Sequence, residues 1–172
     1  MDWLKQVGAV LDQYENAQPE RPPKDVEQHF DTYSRIAPEA TVADGLAAAF
    51  RSDRTPPFGQ MVGQLFGRSP AAQRSSILGQ LLRTLGPAIL ARKGISLPSA
   101  PTNGTAVPPD LAERISPEQV QDLAHEAEKK DPTIIDRISE AYARHPEIVR
   151  TLGTAALTIA LAKAAQRQRA LP

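Results

Sequence analysis

Apolar side chains recur at helical spacing along most of this chain, and prolines separate the segments that carry them. Val26, Phe30 and Tyr33, for example, fall on one face of a helix. Most of the 16 prolines stand near the starts of such segments or in two linkers, where a missing N–H costs little. No segment shows the sustained alternation of apolar and polar residues that marks a half-buried strand. The pattern predicts an all-α fold of many helices.

Some helix boundaries can be placed from residue types alone. Ser116 and Gln119 stand three apart, as in a capping box, and predict a helix start. Thr41 and Asp44 have the same spacing and predict that a third helix begins at Thr41. The Gly86–Pro87 pair predicts a stop or a sharp bend.

Composition limits the chemistry that the chain can carry. Aromatic residues make up only 5% of the sequence, so the core must come from Leu, Ile, Val and Ala, which suits helix-on-helix packing. Cysteine is absent, which removes disulfides and thiolate chemistry and fits a reducing compartment. We find no signal-peptide pattern, and the apolar run between Arg150 and Lys163 is too short to span a bilayer. The expected location is the cytoplasm.

A proline-rich segment suggests how the chain divides. Residues 95–109 contain four prolines among Ser, Thr, Asn and Gly, which is typical of a flexible linker. We therefore expect an N-terminal helical lobe at 1–94, with a proline-rich break near 18–24, and a C-terminal helical lobe at 110–172.

The residues that could support catalysis are few and scattered. Asp122 and His125 lie three apart on a helix, as in di-iron bundles, but those sites need a second such pair and further carboxylates. The sequence after His125 also lacks the second histidine of the helical zinc motif. We expect Asp122 and His125 on a solvated face. The sequence predicts no catalytic residue, no cofactor and no bound metal, so the protein is not expected to be an enzyme.

Charge is unevenly distributed although the net charge is zero. Residues 56–98 carry five basic and no acidic side chains, and residues 146–172 carry four basic and one acidic. Residues 1–55 and 99–145 each carry four more acidic than basic side chains. One interpretation is a surface for an acidic protein, nucleic acid or lipid headgroups. The other, which we favour, is that the basic helices pair with acidic helices of the same chain.

The basic helices supply the first set of candidate interaction residues. They are predicted within residues 56–93 and 146–169. The candidates in the earlier segment are Arg68, Arg74, Arg83, Arg92 and Lys93.

The last predicted helix supplies the second set of candidates. Residues 152–162 are apolar on almost every side and rich in small residues, so this helix should be buried on most faces. It serves either as the centre of a C-terminal bundle, enclosed by apolar stripes at 120–123 and 135–142, or as a close contact with a second copy. Its candidate residues are Leu152, Ala156, Ile159 and Lys163.

Two stretches together carry a family resemblance. The first combines FGQMVGQLFG at residues 58–67 with ILGQLL at 77–82, and the second joins KDPTIID at 130–136 to HPEIV at 145–149. They resemble the YidB-like group of small bacterial helical proteins of uncharacterised function. The resemblance covers about half the chain and leaves the first 50 residues unmatched. It implies a bacterial origin and a helical fold, and it transfers no catalytic residues.

These observations favour a non-enzymatic helical interaction or assembly module that self-associates or binds another protein. No small-molecule substrate is evident. The alternative is a peripheral binder of anionic membrane or nucleic acid, acting through the basic helices.

Overall fold

The computed structural model describes residues 2–94, 107 and 109–170, and over these residues the fold is all α, as predicted. In the described part of the chain there is no strand, and a short 3-10 turn at Arg150–Leu152 precedes the last helix. The helices are α1 (Asp2–Asp12), α2 (Val26–Ile36), α3 (Glu39–Arg51), α4 (Phe58–Gly67), α5 (Ala71–Leu85), α6 (Pro87–Arg92), α7 (Pro109–Arg114), α8 (Pro117–Lys130), α9 (Ile134–Ala143), α10 (Pro146–Val149) and α11 (Thr154–Ala170).

Two of the three predicted boundaries are confirmed. Ser116 Oγ accepts from the backbone N–H of Gln119 at 3.1 Å, and Gln119 Oε1 accepts from that of Ser116 at 2.9 Å. Gly86, with φ of 82°, ends α5, and α6 begins at the next residue. The prediction at Thr41 was wrong, because α3 begins at Glu39 and the Thr41 N–H already bonds to Pro38 O at 3.0 Å.

The helices form two compact units. One unit combines Met1–Pro57 with Ser139–Pro172 and is called the split unit here. The other, the central unit, spans Phe58–Ile138, so the division falls inside α9. Each unit has its own buried side chains and is described separately below.

This grouping differs from the lobes expected at 1–94 and 110–172. The helix α11 packs on α1, α2 and α3, whereas α4 and α5 pack on α8. Of the stripes expected at 120–123 and 135–142, residues 120–123 and 135–138 are grouped with the central unit, and Tyr142 is grouped with α11 in the split unit. Of the expected linker 95–109, Val107 is buried and Pro109 begins α7, while 95–106 and 108 lie outside the described residues. Helical periodicity identifies an apolar face but not the helix that covers it.

The split unit is organised around the pair of α3 and α11. The two helices come so close that a Cβ atom on Gly45 would lie 2.8 Å from the backbone oxygen of Ala160. Buried side chains from both helices surround this contact, and α1 and α2 add theirs. These buried residues include Val7, Leu11, Phe30, Tyr33, Leu46, Phe50, Leu157 and Leu161.

The central unit is organised around α4 and α8 in the same way. A Cβ atom on Gly59 would lie 2.6 Å from the backbone oxygen of Gln121, and one on Gly63 would lie 2.8 Å from that of Pro117. Since these glycines are four residues apart, they lie on one face of α4. The helix α8 also packs on α5, which in turn contacts α7.

In the described residues, no single helix is long and apolar enough to cross a membrane; the bent pair Pro146–Leu152 and Thr154–Arg167 passes that test by length and composition alone.

Candidate interaction surfaces

Three arginines of the split unit form ion pairs with carboxylates of α2 and α3. The pairs are Arg144 with Glu39 at 3.5 Å, Arg150 with Asp31 at 3.9 Å, and Arg167 with Asp44. All three are substantially solvated, so each contributes at most about 1 kcal/mol. The expected pairing of basic helices with acidic helices of the same chain is confirmed for Arg150 and Arg167, which lie in the basic segment 146–172, whereas Arg144 lies in the acidic segment 99–145.

Lys93 is used in the same way within the central unit. Its Nζ lies 2.8 Å from Asp122 Oδ2 and 3.9 Å from Glu126 Oε1, both on α8. Asp122 and His125 are exposed on that helix, as expected for a solvated face. This candidate is therefore directed at its own chain rather than at a partner.

Arg74 has a structural role that the sequence did not reveal. Its Nε donates to Ser69 O at 2.9 Å and Phe66 O at 3.1 Å, and its Nη2 donates to Gly67 O at 3.1 Å. The guanidinium also lies over the Phe66 ring, 5.2 Å from its centroid. Carbonyls in the last turn of a helix need donors from outside it, and Arg74 supplies them for α4.

The remaining basic candidates are differently placed. Arg68, Arg83 and Arg92 are exposed, and none of the three forms an ion pair within the part of the chain that the structure describes. Arg83 Nε donates to Gly79 O of its own helix at 3.2 Å. Among the basic candidates within 56–93, these three arginines are therefore the ones that are exposed and outside a described ion pair.

The candidates of the last helix separate into buried and accessible residues. Ala156 is only 3% exposed, so it is part of the core and is not available to a partner. Leu152 and Ile159 are partly exposed, and Lys163 is exposed. The expectation that this helix is largely buried is met by residues 156–158, 160–161 and 164–165.

A partly exposed apolar stripe remains on this helix. It consists of Ala155, Ile159 and Ala162, which are three or four residues apart and therefore share one side, whereas Leu152 lies in the 3-10 turn before α11 and is not part of it. We call these three residues the α11 stripe. The stripe is partly exposed, and it contains Ile159, one of the candidate interaction residues from the sequence.

The pairing of Tyr14 with His29 holds α1 against α2. The side chain of Tyr14 is fully buried, and its hydroxyl is hydrogen-bonded to Nδ1 of His29 at 2.7 Å, with the rings edge to face. Burial, and secondarily the charge of Asp25, raises the pKa of Tyr14 to about 12. Sequence reasoning gave His29 no role, because helical spacing alone does not show which buried hydroxyl it meets.

This pair predicts a loss of stability at alkaline pH. An unfolded tyrosine ionises near pH 10, whereas Tyr14 in the folded chain resists ionisation up to about 12. Its contribution to stability is therefore complete below pH 10 and is lost as pH rises toward 12. Urea unfolding measured along this range should show a shallower loss for Tyr14→Phe than for the unmodified chain. Equal slopes would contradict the prediction. Tyr33, whose pKa is also raised by burial, is unchanged in both proteins.

Two carboxyl groups at the surface have a lowered pKa. A hydrogen bond from Arg54 lowers the pKa of Glu20, and hydrogen bonds from Thr133 lower that of Asp131.

An open depression beside α1 is lined mostly by polar residues of the turn at 12–23. Among the described residues, no group of three His, Asp or Glu side chains is placed to hold a metal ion.

No protein-family model, curated protein or solved structure matches the chain.

Proposed function

We propose that this chain is a non-enzymatic helical interaction module that self-associates through the α11 stripe. The observation that carries the proposal is the partial exposure of Ile159 on a helix whose neighbouring residues 156–158 and 160–161 are buried. In a monomer, a polar side chain at such a position would not lower the stability of the fold, so the fold alone does not require an apolar residue there. The proposal extends to a bacterial, cytoplasmic protein, which the family resemblance and the absence of cysteine support.

The shape of the stripe favours a second copy as the partner. A two-fold contact requires a surface that is complementary to itself. Ile159 stands between Ala155 and Ala162, so two antiparallel copies can each place the isoleucine over the alanines of the other. The stripe is narrow, and interfaces well below about 1,000 Å² are typically weak. The expected dimer is therefore transient and depends on concentration.

Ile159→Asp tests this proposal. A charge at the centre of the contact should abolish dimerisation while leaving the split unit folded, because Ile159 already contacts solvent. We expect the solution mass at high concentration to fall to that of one chain, with unchanged circular dichroism. Light scattering over a concentration series measures the first quantity.

Two matched variants on the same helix control this experiment. Thr154→Asp adds the same charge at an exposed position and should leave the dimer intact. Leu157→Asp places it at a fully buried position and should unfold the split unit. If Ile159→Asp behaves like Thr154→Asp, the stripe is not an interface.

A second candidate function is binding of an acidic partner by Arg68, Arg83 and Arg92. The exposure of these arginines, outside any described ion pair, is the observation that favours it. Such binding to DNA or to anionic vesicles must weaken steeply with salt, whereas contact through the apolar stripe must not.

A further inference from the structure

The connection between α10 and α11 is bent sharply at one residue. The chain is bent by 118° between the segments Pro146–Leu152 and Thr154–Arg167. Gly153 forms the bend with φ of 102° and ψ of 170°. This backbone conformation is essentially restricted to glycine.

Side-chain packing does not explain the glycine. A Cβ atom at position 153 would have nothing within 4 Å, in contrast to the crowded positions at Gly45 and Gly59. The residue is therefore required by the bend itself and not by a close neighbour. Directly after it, Ala155, Ala156 and Leu157 have high helix propensity, and the residues before it form α10 and a 3-10 turn.

We propose that Gly153 is a hinge at which α11 straightens away from its own split unit and is exchanged with α11 of a second copy. Straightening alone would expose Leu157 and Leu161, which are both fully buried. A second copy offers the one surface already shaped for this helix, namely α3 with Gly45 beneath Ala160. The ion pair between Arg167 and Asp44 would then form between copies instead of within one.

The exchange deepens the proposed self-association but uses the opposite side of α11. Docking through the α11 stripe leaves each helix in its own unit, and Ile159 is at the centre of the contact. Exchange places the buried face of α11 in the partner, and Ile159 remains at the surface. The two modes therefore respond differently to the same substitutions.

Gly153→Ala tests the hinge. Alanine penalises the bent backbone and favours a continuous helix, which together should shift the balance toward the straight form on the order of 100-fold. We expect a stable dimer by light scattering, with helicity retained. Gly86→Ala is the matched control, since Gly86 has a similar conformation, with φ of 82° and ψ of 167°, and its Cβ would meet only Lys130 Nζ at 3.8 Å. It should be destabilised without any change of mass. If Gly153→Ala shows the same loss of stability and no new dimer, the hinge is refuted.

Cross-linking supplies a second readout that does not depend on Gly153→Ala folding. The chain contains no cysteine, so Asp44→Cys and Arg167→Cys can be introduced on separate chains and the two proteins refolded together. A short cross-linker with two thiol-reactive groups should then join the two different chains, because exchange brings position 44 of one copy close to position 167 of the other. The cross-link should persist when Ile159→Asp is added to both chains. Its absence at all concentrations overturns the exchange, while loss of concentration-dependent mass with Ile159→Asp would still support docking through the stripe.

Discussion

Gly59→Ala is expected to lower the free energy of unfolding of the central unit by about 2–3 kcal/mol, the upper range for overpacking a close contact. The new methyl carbon would stand 2.6 Å from the backbone oxygen of Gln121 and 3.2 Å from the backbone nitrogen of His125. Because both neighbours are backbone atoms of α8, no side-chain rotation relieves the overlap, and the two helices must separate. The separation would loosen Met61, Val62 and the other buried side chains of α4.

Gly67→Ala on the same helix is the control. It lies on the same face, but its nearest neighbour is the ring carbon Cγ of Pro117 at 3.3 Å, and no backbone atom is close. Alanine also has a higher helix propensity than glycine by about 1 kcal/mol, which offsets a small overlap. Urea unfolding followed by circular dichroism should place Gly67→Ala within about 1 kcal/mol of the unmodified chain. Equal effects at the two positions would show that the close approach of α4 and α8 is not what stabilises the unit.

Local signals predicted the helices well because they act over a few residues. The capping box at Ser116 and the break at Gly86 each depend on atoms within one turn, and both are found as predicted. Thr41 failed as a start signal because Pro38 lies just before it. Proline near a helix start supplies a preorganised backbone, and α3 begins directly after it.

The grouping of helices could not be read from the same signals. Gly45 and Ala160 meet across 115 positions of sequence, and nothing in the periodicity of either helix identifies the other. The glycines of FGQMVGQLFG were visible as a motif of the family resemblance. Their physical use, a close approach to α8, depends on a partner that lies about 60 positions away.

For the candidate residues too, the sequence gives the residue type, whereas the exposure and the binding partners depend on how the helices pack. The sequence identified which side chains are basic, and the structure shows that Arg74 and Lys93 bind groups of their own chain, namely carbonyls at the end of α4 and carboxylates of α8. Exposure distinguishes Arg68, Arg83 and Arg92 from them. In α11, helical spacing alone could not tell Ala156, which is buried, from Ile159, which is partly exposed.

The contact beneath α11 gives the second large effect, at Gly45. A methyl group there would lie 2.8 Å from the backbone oxygen of Ala160 and 3.3 Å from its Cα. We expect Gly45→Ala to destabilise the split unit by about 2 kcal/mol or more, despite a gain of about 1 kcal/mol in helix propensity. The effect should also appear as weaker protection of α3 amides against hydrogen exchange, since α11 covers that helix.

A double substitution distinguishes backbone from side-chain crowding at this contact. If the Ala160 methyl group caused the overlap, Ala160→Gly would rescue Gly45→Ala. The three nearest atoms are instead the backbone O, Cα and C of Ala160, which remain when the methyl group is removed. The double variant should therefore be no more stable than Gly45→Ala, and less stable by about 1 kcal/mol if the added glycine loosens α11. Recovery of stability in the double variant would mean that α3 and α11 are held apart by side chains, and that the backbone contact at Gly45 is not what makes α11 fit this unit.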